Sequence, residues 1–356
     1  MFRFIVQGFD KVTSMDDFGP LFGDAIEQKS ARRIGNGPLP APHKPTTAVP
    51  HGLLQDVGEA TRTACNEKGR AISGALADAI GRPFYEREGF VLYQRDCRDV
   101  LRAMAVSGLK LDLTVTSPPY NIGKAYENLM PLGEYVQWCE TWMQSIYDIT
   151  KSDGSFWLNV GYLGVEGRGK AVPIAYLLWD KSRFFLQQEV VWHYGAGVTA
   201  KRCFAPRNEK WLFYTKDPES FTFNLDDVRD PNVKYPNQKK NGKFRCNPLG
   251  KNPSDVWEFP KVTTGARRSS RERTPHPAQF PLGIVDRIVK VSSSYQDLVF
   301  DPFSGSGSAG IAAVGNGRVY VGSELREDYC RATAERHERY LELRDRSIEQ
   351  SELALL

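Results

Sequence analysis

Two short segments carry residue types that could do chemistry. The first is Thr116-Ser117-Pro118-Pro119-Tyr120, which continues the hydrophobic, β-branched run Leu111–Thr116. Two consecutive prolines fix φ at both positions and remove both N–H donors. Their carbonyls and the Ser117 hydroxyl remain as acceptors, for which an amine proton is the matching donor. Tyr120 adds a flat face on which a base taken out of its stack could lie. The plain alternative is a rigid turn with no chemistry. Amine protons held by Ser117 and by the Pro118 carbonyl would leave the nitrogen more sp³-like and more nucleophilic, and proximity and alignment would do the rest. Attack on a ring carbon would need an activated cysteine. None lies beside this turn; Cys97 and Cys139 are the nearest.

The second segment is Asp301-Pro302-Phe303-Ser304-Gly305-Ser306-Gly307, entered from the apolar run Leu298–Phe300 and followed by a helix-forming stretch. Glycines let a ligand approach the backbone, and a helix N-terminus supplies free N–H groups. Glu324 ends the next hydrophobic run, where a carboxylate could take a ribose hydroxyl pair. Gly305, Gly307 and Gly310 satisfy the dinucleotide string G-x-G-x-x-G. Against that reading, Asp301 would repel a pyrophosphate, whereas it could attract the ammonium of a methionine moiety. S-adenosylmethionine, a dinucleotide and a ligand-free β-to-α turn all remain open on the residues alone.

The elements that must position these segments alternate. Strands are expected at Phe90–Tyr93, Leu111–Thr116, Ser155–Val160, Glu189–His193, Trp211–Thr215, Leu298–Phe300 and Val319–Ser323. Helices are expected at 67–80, 131–149, Ala171–Trp179, 278–290, Ser308–Val314 and Glu327–Leu343. That alternation implies an α/β domain with a largely parallel sheet. Residues 36–50, with five prolines, read as a linker or extended surface segment. The stretch 216–273 breaks the rhythm. It carries Lys234, Lys239, Lys240, Lys243, Arg245 and Lys251, then Lys261, Arg267, Arg268, Arg271 and Arg273 with Glu272 as the single offset. One basic run is usually a solvated face; two in one irregular insert suggest phosphate contacts.

Composition bounds the rest. With 41% hydrophobic and 25% charged residues, the 356-residue chain can bury a sizeable core. A net charge of +4 does not by itself point to nucleic acid. The six cysteines are scattered without metal-ligand spacing, so reduced thiols in the cytosol and no metal are expected. No apolar run is long enough for a membrane span, and the N-terminus does not read as a signal peptide.

On these residues the chain resembles the amino-methyltransferases of DNA, the N4-cytosine and N6-adenine family, over about residues 90–343. The anchors are Val115–Tyr120 and Asp301–Gly307, supported by Leu92-Tyr-Gln-Arg-Asp96-Cys97 and Thr274-Pro-His276-Pro277-Ala-Gln-Phe-Pro281. Catalytic motif first and cofactor loop last resembles the circularly permuted β-class order. The resemblance implies a class I S-adenosylmethionine-dependent fold, a Rossmann-like seven-stranded sheet with one antiparallel strand. It implies catalysis by Ser117, Pro118, Pro119 and Tyr120. Asp301, Phe303, Gly305 and Gly307 would line the methionine part of S-adenosylmethionine, and Glu324 the ribose. Asp96 and Cys97 would lie near the adenine ring; Thr274, His276 and Pro277 would lie near the methionine end, His276 only in a positioning role.

Target recognition falls between Lys216 and Arg273 by the same resemblance, in agreement with the basic runs, whose Lys234, Lys239, Lys240, Lys243, Arg245, Arg267, Arg268 and Arg271 are the expected DNA contacts. The Thr-Ser-Pro-Pro-Tyr form resembles the N4-cytosine branch; Asp or Asn in place of the serine is more typical of the N6-adenine branch. The expectation is therefore a site-specific N4-cytosine methyltransferase acting on a flipped base in double-stranded DNA. Adenine N6 is the first alternative. An RNA base, a protein amide, or an inactive DNA-binding module follow. A restriction endonuclease acting on the same site would be the natural partner of a cytoplasmic, nucleoid-associated monomer or homodimer. Residues 1–89 read as an extension, 90–343 as the catalytic domain and 344–356 as a tail.

Overall fold

The structure, a computed structural model, describes residues 57–124, 126–195, 201–263 and 272–353. In chain order the elements are α1 (Glu59–Ile80), β1 (Tyr85–Arg87), β2 (Phe90–Gln94), α2 (Cys97–Val106), β3 (Leu111–Thr116), α3 (Leu132–Ile149) and β4 (Thr150–Val160). There follow β5 (Tyr162–Val165), β6 (Gly169–Pro173), α4 (Ala175–Leu178), β7 (Phe185–His193), β8 (Asn208–Thr215), β9 (Lys239–Lys240), β10 (Lys243–Phe244) and β11 (Val256–Glu258). The chain closes with α5 (Leu282–Ser292), β12 (Leu298–Asp301), α6 (Ser308–Gly315), β13 (Val319–Glu324) and α7 (Glu327–Leu353).

One sheet runs through the molecule in the order β1-β2-β13-β12-β3-β4-β8-β7-β11. Its seven central strands, β2 to β7 in that order, are parallel except β8, which runs against β4 and β7. This is the class I methyltransferase sheet in permuted chain order. Two edge strands enlarge it to nine: β1 is added antiparallel to β2, and β11 parallel to β7. β3 is buried at all six positions and β12 at all four, as strands covered by helices on both faces must be.

Helices cover both faces. On one side Ile72 and Leu76 of α1, Val100 and Met104 of α2, and Tyr135, Trp142 and Ile146 of α3 pack on Val91, Phe156, Leu158, Phe300 and Val321. On the other, Ile284, Val285 and Ile288 of α5, Ile311 of α6 and Leu341 of α7 pack on Leu92, Leu113, Val115, Trp157 and Val299. A strand's alternate residues point to opposite faces, so Phe90 and Leu92 serve one core and Val91 and Tyr93 the other.

Several expected boundaries move. Helix α1 begins at Glu59 rather than 67, and it is part of the core. Gly69 lies so close to Gly89 that a Cβ there would come within 3.1 Å of the Gly89 Cα. The division drawn at residue 89 therefore cuts through a packed unit. The helix expected at Ala171–Trp179 is instead strand β6, paired with β5 in a hairpin about Gly167 (φ +65°), followed by the short α4. Pro173 explains this, since a proline in mid-helix removes a hydrogen bond and clashes with the preceding turn. Helix α5 starts at Leu282, after Pro281, rather than at 278. Helix α7 runs on to Leu353, through most of the expected tail. The proline-rich segment 36–50 lies outside the described residues.

Candidate active site

The carboxyl ends of β2, β13, β12, β3 and β4 converge, and a cavity of about 350 Å³ opens there. Ligand crevices form at this edge of α/β sheets, beside the point where strand order reverses. Here that point lies between β12 and β3, which carry the two sequence anchors. Ser117, Pro118, Pro119 and Tyr120 line the cavity, as do Asp96, Cys97, His276, Pro277, Phe303, Gly305 and Glu324.

The Ser117–Tyr120 turn is held by a polar network. Ser117 Oγ donates to Tyr120 Oη at 3.1 Å. Tyr120 Oη in turn directs its proton toward Asn159 Oδ1 at 3.0 Å, with Glu209 Oε2 at 3.3 Å. Glu209 also faces Lys261 Nζ at 3.5 Å. Burial and the nearby Glu209 charge push the Tyr120 phenol well above its ordinary range, so it stays protonated and keeps donating. Its ring lies against Gly161, where a Cβ would come within 2.8 Å of Tyr120 Cε2. The Pro119 carbonyl accepts from Tyr135 Oη at 2.9 Å, so of the two proline carbonyls Pro118, which takes no side-chain donor among the described residues, is the freer for a ligand. Beyond the turn, Glu127 clasps the chain by accepting from the N–H groups of Asn121, Ile122 and Lys124 at 2.8–2.9 Å.

The cofactor half is less uniform than the sequence suggests. Asp301 was expected against the methionine part of a ligand, but it is 1% exposed and lies off the cavity wall. Its Oδ1 accepts from Thr116 Oγ1 at 2.6 Å and from the Phe303 N–H at 3.0 Å. It thus ties the end of β3 to the loop after β12. Burial raises its carboxyl to about 7, against the lowering effect of those two donors. Gly307 is also off the wall: its φ is +71°, and a Cβ would strike Thr333 Cγ2 at 2.6 Å, so close packing of α7 demands glycine here. Thr274 is the third displaced residue. Its hydroxyl and N–H both reach Gln279 Oε1 at 3.0 Å, shaping the turn that presents His276.

The remaining cofactor candidates meet at the wall. Gly305 (φ +50°) faces the His276 ring, which a Cβ would approach to 3.1 Å. Its N–H donates to Glu324 Oε2 at 3.0 Å, while Glu324 Oε1 accepts from the Arg326 N–H at 2.9 Å. A carboxylate has about four acceptor sites, so acceptor capacity remains for a hydroxyl donor. Burial raises the Glu324 carboxyl despite these bonds. His276 stacks with Tyr126 (5.4 Å) and meets Tyr329 edge-on (4.4 Å). Burial lowers it to about 4, so it is neutral at neutral pH and suited to packing rather than proton transfer. Asp96 caps α2 by accepting from the Arg98 N–H at 2.9 Å, with Cys97 buried behind it. Trp138 and Phe303, 5.6 Å apart, make the apolar wall.

The basic insert divides. Lys239, Lys240 and Lys243 stand exposed on the β9–β10 hairpin, with Lys234 and Arg245 exposed beside it. Asn241 (φ +52°) and Gly242 (φ +77°) make its turn, the positive-φ pair that a two-residue hairpin requires. Lys251 instead pairs with Asp230 at 3.0 Å, and Lys261 turns into the cavity. Arg267, Arg268 and Arg271 lie outside the described residues.

Sequence reading missed Asn159, Glu209, Tyr194, Tyr126 and Trp138 as wall residues. It also missed the support beneath the glycine loop. Thr333 Oγ1 donates to the Gly305 carbonyl at 3.0 Å, and buried Arg336 donates to the Ser306 carbonyl at 2.7 Å. Asn159 and Glu209 carried a usable signal, since each is a polar residue at an end of a hydrophobic strand. Thr333 and Arg336 carried none in a helix charged along most of its length.

Comparisons with known proteins bear on the family and the fold. Residues 111–335 match the profile of the N6/N4 DNA methylase family. The type II methyltransferase M.ScaI of Streptomyces caespitosus is 56% identical over 267 residues, covering 74% of this chain and 87% of that protein. The type II methyltransferase M.BglII of Bacillus subtilis is 35% identical over 245 residues, covering 67% of this chain and 66% of that protein. Among solved structures, the cytosine-N4-specific PvuII DNA methyltransferase superposes with a TM-score of 0.53 at 19% identity, covering 72% of this chain and 92% of that one.

Proposed function

The chain belongs to the DNA methylase family that modifies N6 and N4 amines, and from that premise we propose that it methylates the exocyclic N4 amine of cytosine in double-stranded DNA. The observation that carries the reading is the Ser117 hydroxyl, whose proton is turned away to Tyr120 so that its lone pairs face an incoming donor. S-adenosylmethionine, when bound, supplies an electrophilic methyl group. The wall fits it: Glu324 keeps acceptor capacity for a ribose hydroxyl, Gly305 opens the loop backbone beside His276, and Trp138 with Phe303 offers apolar surface.

The residues' own work is positioning. Ser117 Oγ and the Pro118 carbonyl accept the two amine protons, which localises the nitrogen lone pair for attack. Tyr120, fixed by Asn159 and Glu209, keeps the serine hydroxyl pointing the right way. The aromatic walls exclude water, so these weak dipoles act at low dielectric. Exposed Lys239, Lys240 and Lys243 would meet the phosphate backbone, which secures the duplex without reading its sequence. Serine at the head of the Pro-Pro turn favours cytosine over adenine. By analogy with relatives named as type II methyltransferases, the protein would guard a site against a partner endonuclease.

The test is labelled methyl transfer to DNA from an unmodified host, followed by mass analysis of the nucleosides. N4-methyldeoxycytidine is expected. N6-methyldeoxyadenosine alone would overturn the cytosine assignment and keep the rest. No transfer to any DNA would remove the assignment altogether.

A further inference from the structure

We propose that Lys261 reads the acceptor edge of the flipped base and that Glu209 and Tyr194 hold it in place to do so; this rests on the cytosine reading above. A base whose amine lies at Ser117 presents a ring nitrogen next to that amine. Cytosine then adds a carbonyl oxygen, where adenine has only a C–H. Both acceptors lose water when the base enters the cavity, and an acceptor buried without a donor is costly. The catalytic turn cannot serve them, because Ser117 and the Pro118 carbonyl face the amine as acceptors. A donor must come from another part of the wall.

Lys261 ends a chain of polar groups that starts at the catalytic serine. Ser117 Oγ, Tyr120 Oη, Glu209 and Lys261 Nζ follow one another at 3.1, 3.3 and 3.5 Å. Of the other cations on the wall, Arg95 donates to the Ile80 carbonyl at 2.7 Å, Arg326 pairs with Asp328 on α7, and Lys124 belongs to the Glu127-clasped loop that follows the turn, outside the chain of polar groups. The Lys261 ammonium sits 4.1 Å from the centre of the Tyr194 ring, which is 5% exposed, so its direction is set from below. Its separation from Glu209 exceeds the 2.7–2.9 Å of a tight charge-assisted bond. The ammonium has three protons and, among the described residues, this one loose ion-pair partner, so it keeps donors for the base. Glu209 compensates the charge and hands its second oxygen to Tyr120, which couples base reading to the orientation of Ser117.

The experiment pairs a protein change with a base change in full-length protein. Unmodified plasmid is methylated and sequenced to locate the site, and duplexes are made with the target cytosine replaced by a 2-aminopyridine C-nucleoside. That analogue keeps the amine and ring nitrogen and lacks the carbonyl. Wild-type protein should lose about 10- to 100-fold in kcat/KM on the analogue, the range of one charge-assisted hydrogen bond. Lys261→Met should lose as much on cytosine and little more on the analogue, and Lys261→Arg should recover part of the loss. S-adenosylmethionine affinity measured without DNA should be the same for all three proteins. Losses that multiply, or a wild-type enzyme indifferent to the carbonyl, would overturn the role of Lys261 while leaving cytosine methylation standing. A wild-type enzyme inert on every duplex would instead refute the function it rests on.

Discussion

Tyr120→Phe is the sharpest probe of the catalytic turn, because it removes one oxygen and keeps the ring that packs on Gly161. That oxygen accepts the Ser117 proton and sends its own toward Asn159 and Glu209. Without it the serine hydroxyl is free to rotate and can point its proton at the amine, setting donor against donor. Hydrogen bonds to charged groups contribute about 1.5–3 kcal/mol, and the neutral serine bond about 1 kcal/mol. With Ser117 accepting an amine proton as proposed, its effect would be largest where the nitrogen becomes nucleophilic, and the loss would belong in kcat. A fall of roughly 10- to 100-fold is expected, with KM for DNA changed little. The assay is single-turnover transfer of labelled methyl at saturating DNA. Ser117→Ala should lose at least as much, and the double variant no more than Ser117→Ala, because Tyr120 acts through the serine. A double variant whose losses multiply, or a Tyr120→Phe enzyme at the wild-type rate, would refute the orienting role.

Asp301→Asn should flatten the pH dependence of stability. The wild-type carboxyl, ordinarily at 3.8, is raised to about 7 by burial, so its contribution is full below pH 4 and is lost as pH climbs through 7. The span corresponds to at most about 4 kcal/mol; denaturant unfolding from pH 4 to 8 measures it, and parallel curves for the two proteins would contradict it. Gly310→Ala should destabilise by about 1–3 kcal/mol by overpacking, since a Cβ would lie 2.6 Å from Phe90 Cζ and 2.7 Å from Tyr320 Cε1. An unchanged unfolding midpoint would show that the core yields there. Replacing Lys239 and Lys240 with glutamine should weaken duplex binding and reduce the slope of log affinity against log salt by about 2. A slope equal to wild type in anisotropy titrations would remove both from the phosphate-binding face.

The parts of the site legible in the sequence are those fixed by local backbone chemistry. A Pro-Pro turn after a β-branched strand can be recognised from five residues, and so can a glycine loop between a strand and a helix. What such strings do not contain is the direction in which a strand's last residue points. Asp301 and Glu324 are both acids at strand ends, yet Asp301 turns inward to Thr116 while Glu324 faces the cavity. Gly305 and Gly307 look equivalent, but one answers to the cavity and the other to Thr333 on the terminal helix. Lys261 sat in a basic run and was grouped with it; only the fold brings Glu209 and Tyr194 beside it. The Asn241-Gly242 hairpin was readable in principle, and the surrounding lysines drew the reading toward charge instead of turn geometry.

Permuted chain order does not disturb the site. Thr116 and Asp301 are separated by 185 residues and joined by one buried hydrogen bond of 2.6 Å. That bond exists because β3 and β12 are neighbours in the sheet, with Leu113 opposite Val299 and Thr114 opposite Phe300. Whether the amine-binding strand or the cofactor strand comes first in the chain does not alter their pairing. Sheet position, enforced by burial of both strands on both faces, therefore sets the geometry of transfer, and the long path between them is free to carry the basic hairpin. Lengthening or shortening that path at the exposed β9–β10 turn should change how tightly duplex DNA is held in anisotropy titrations while leaving the Thr116–Asp301 junction, and the rate of methyl transfer at saturating DNA, in place.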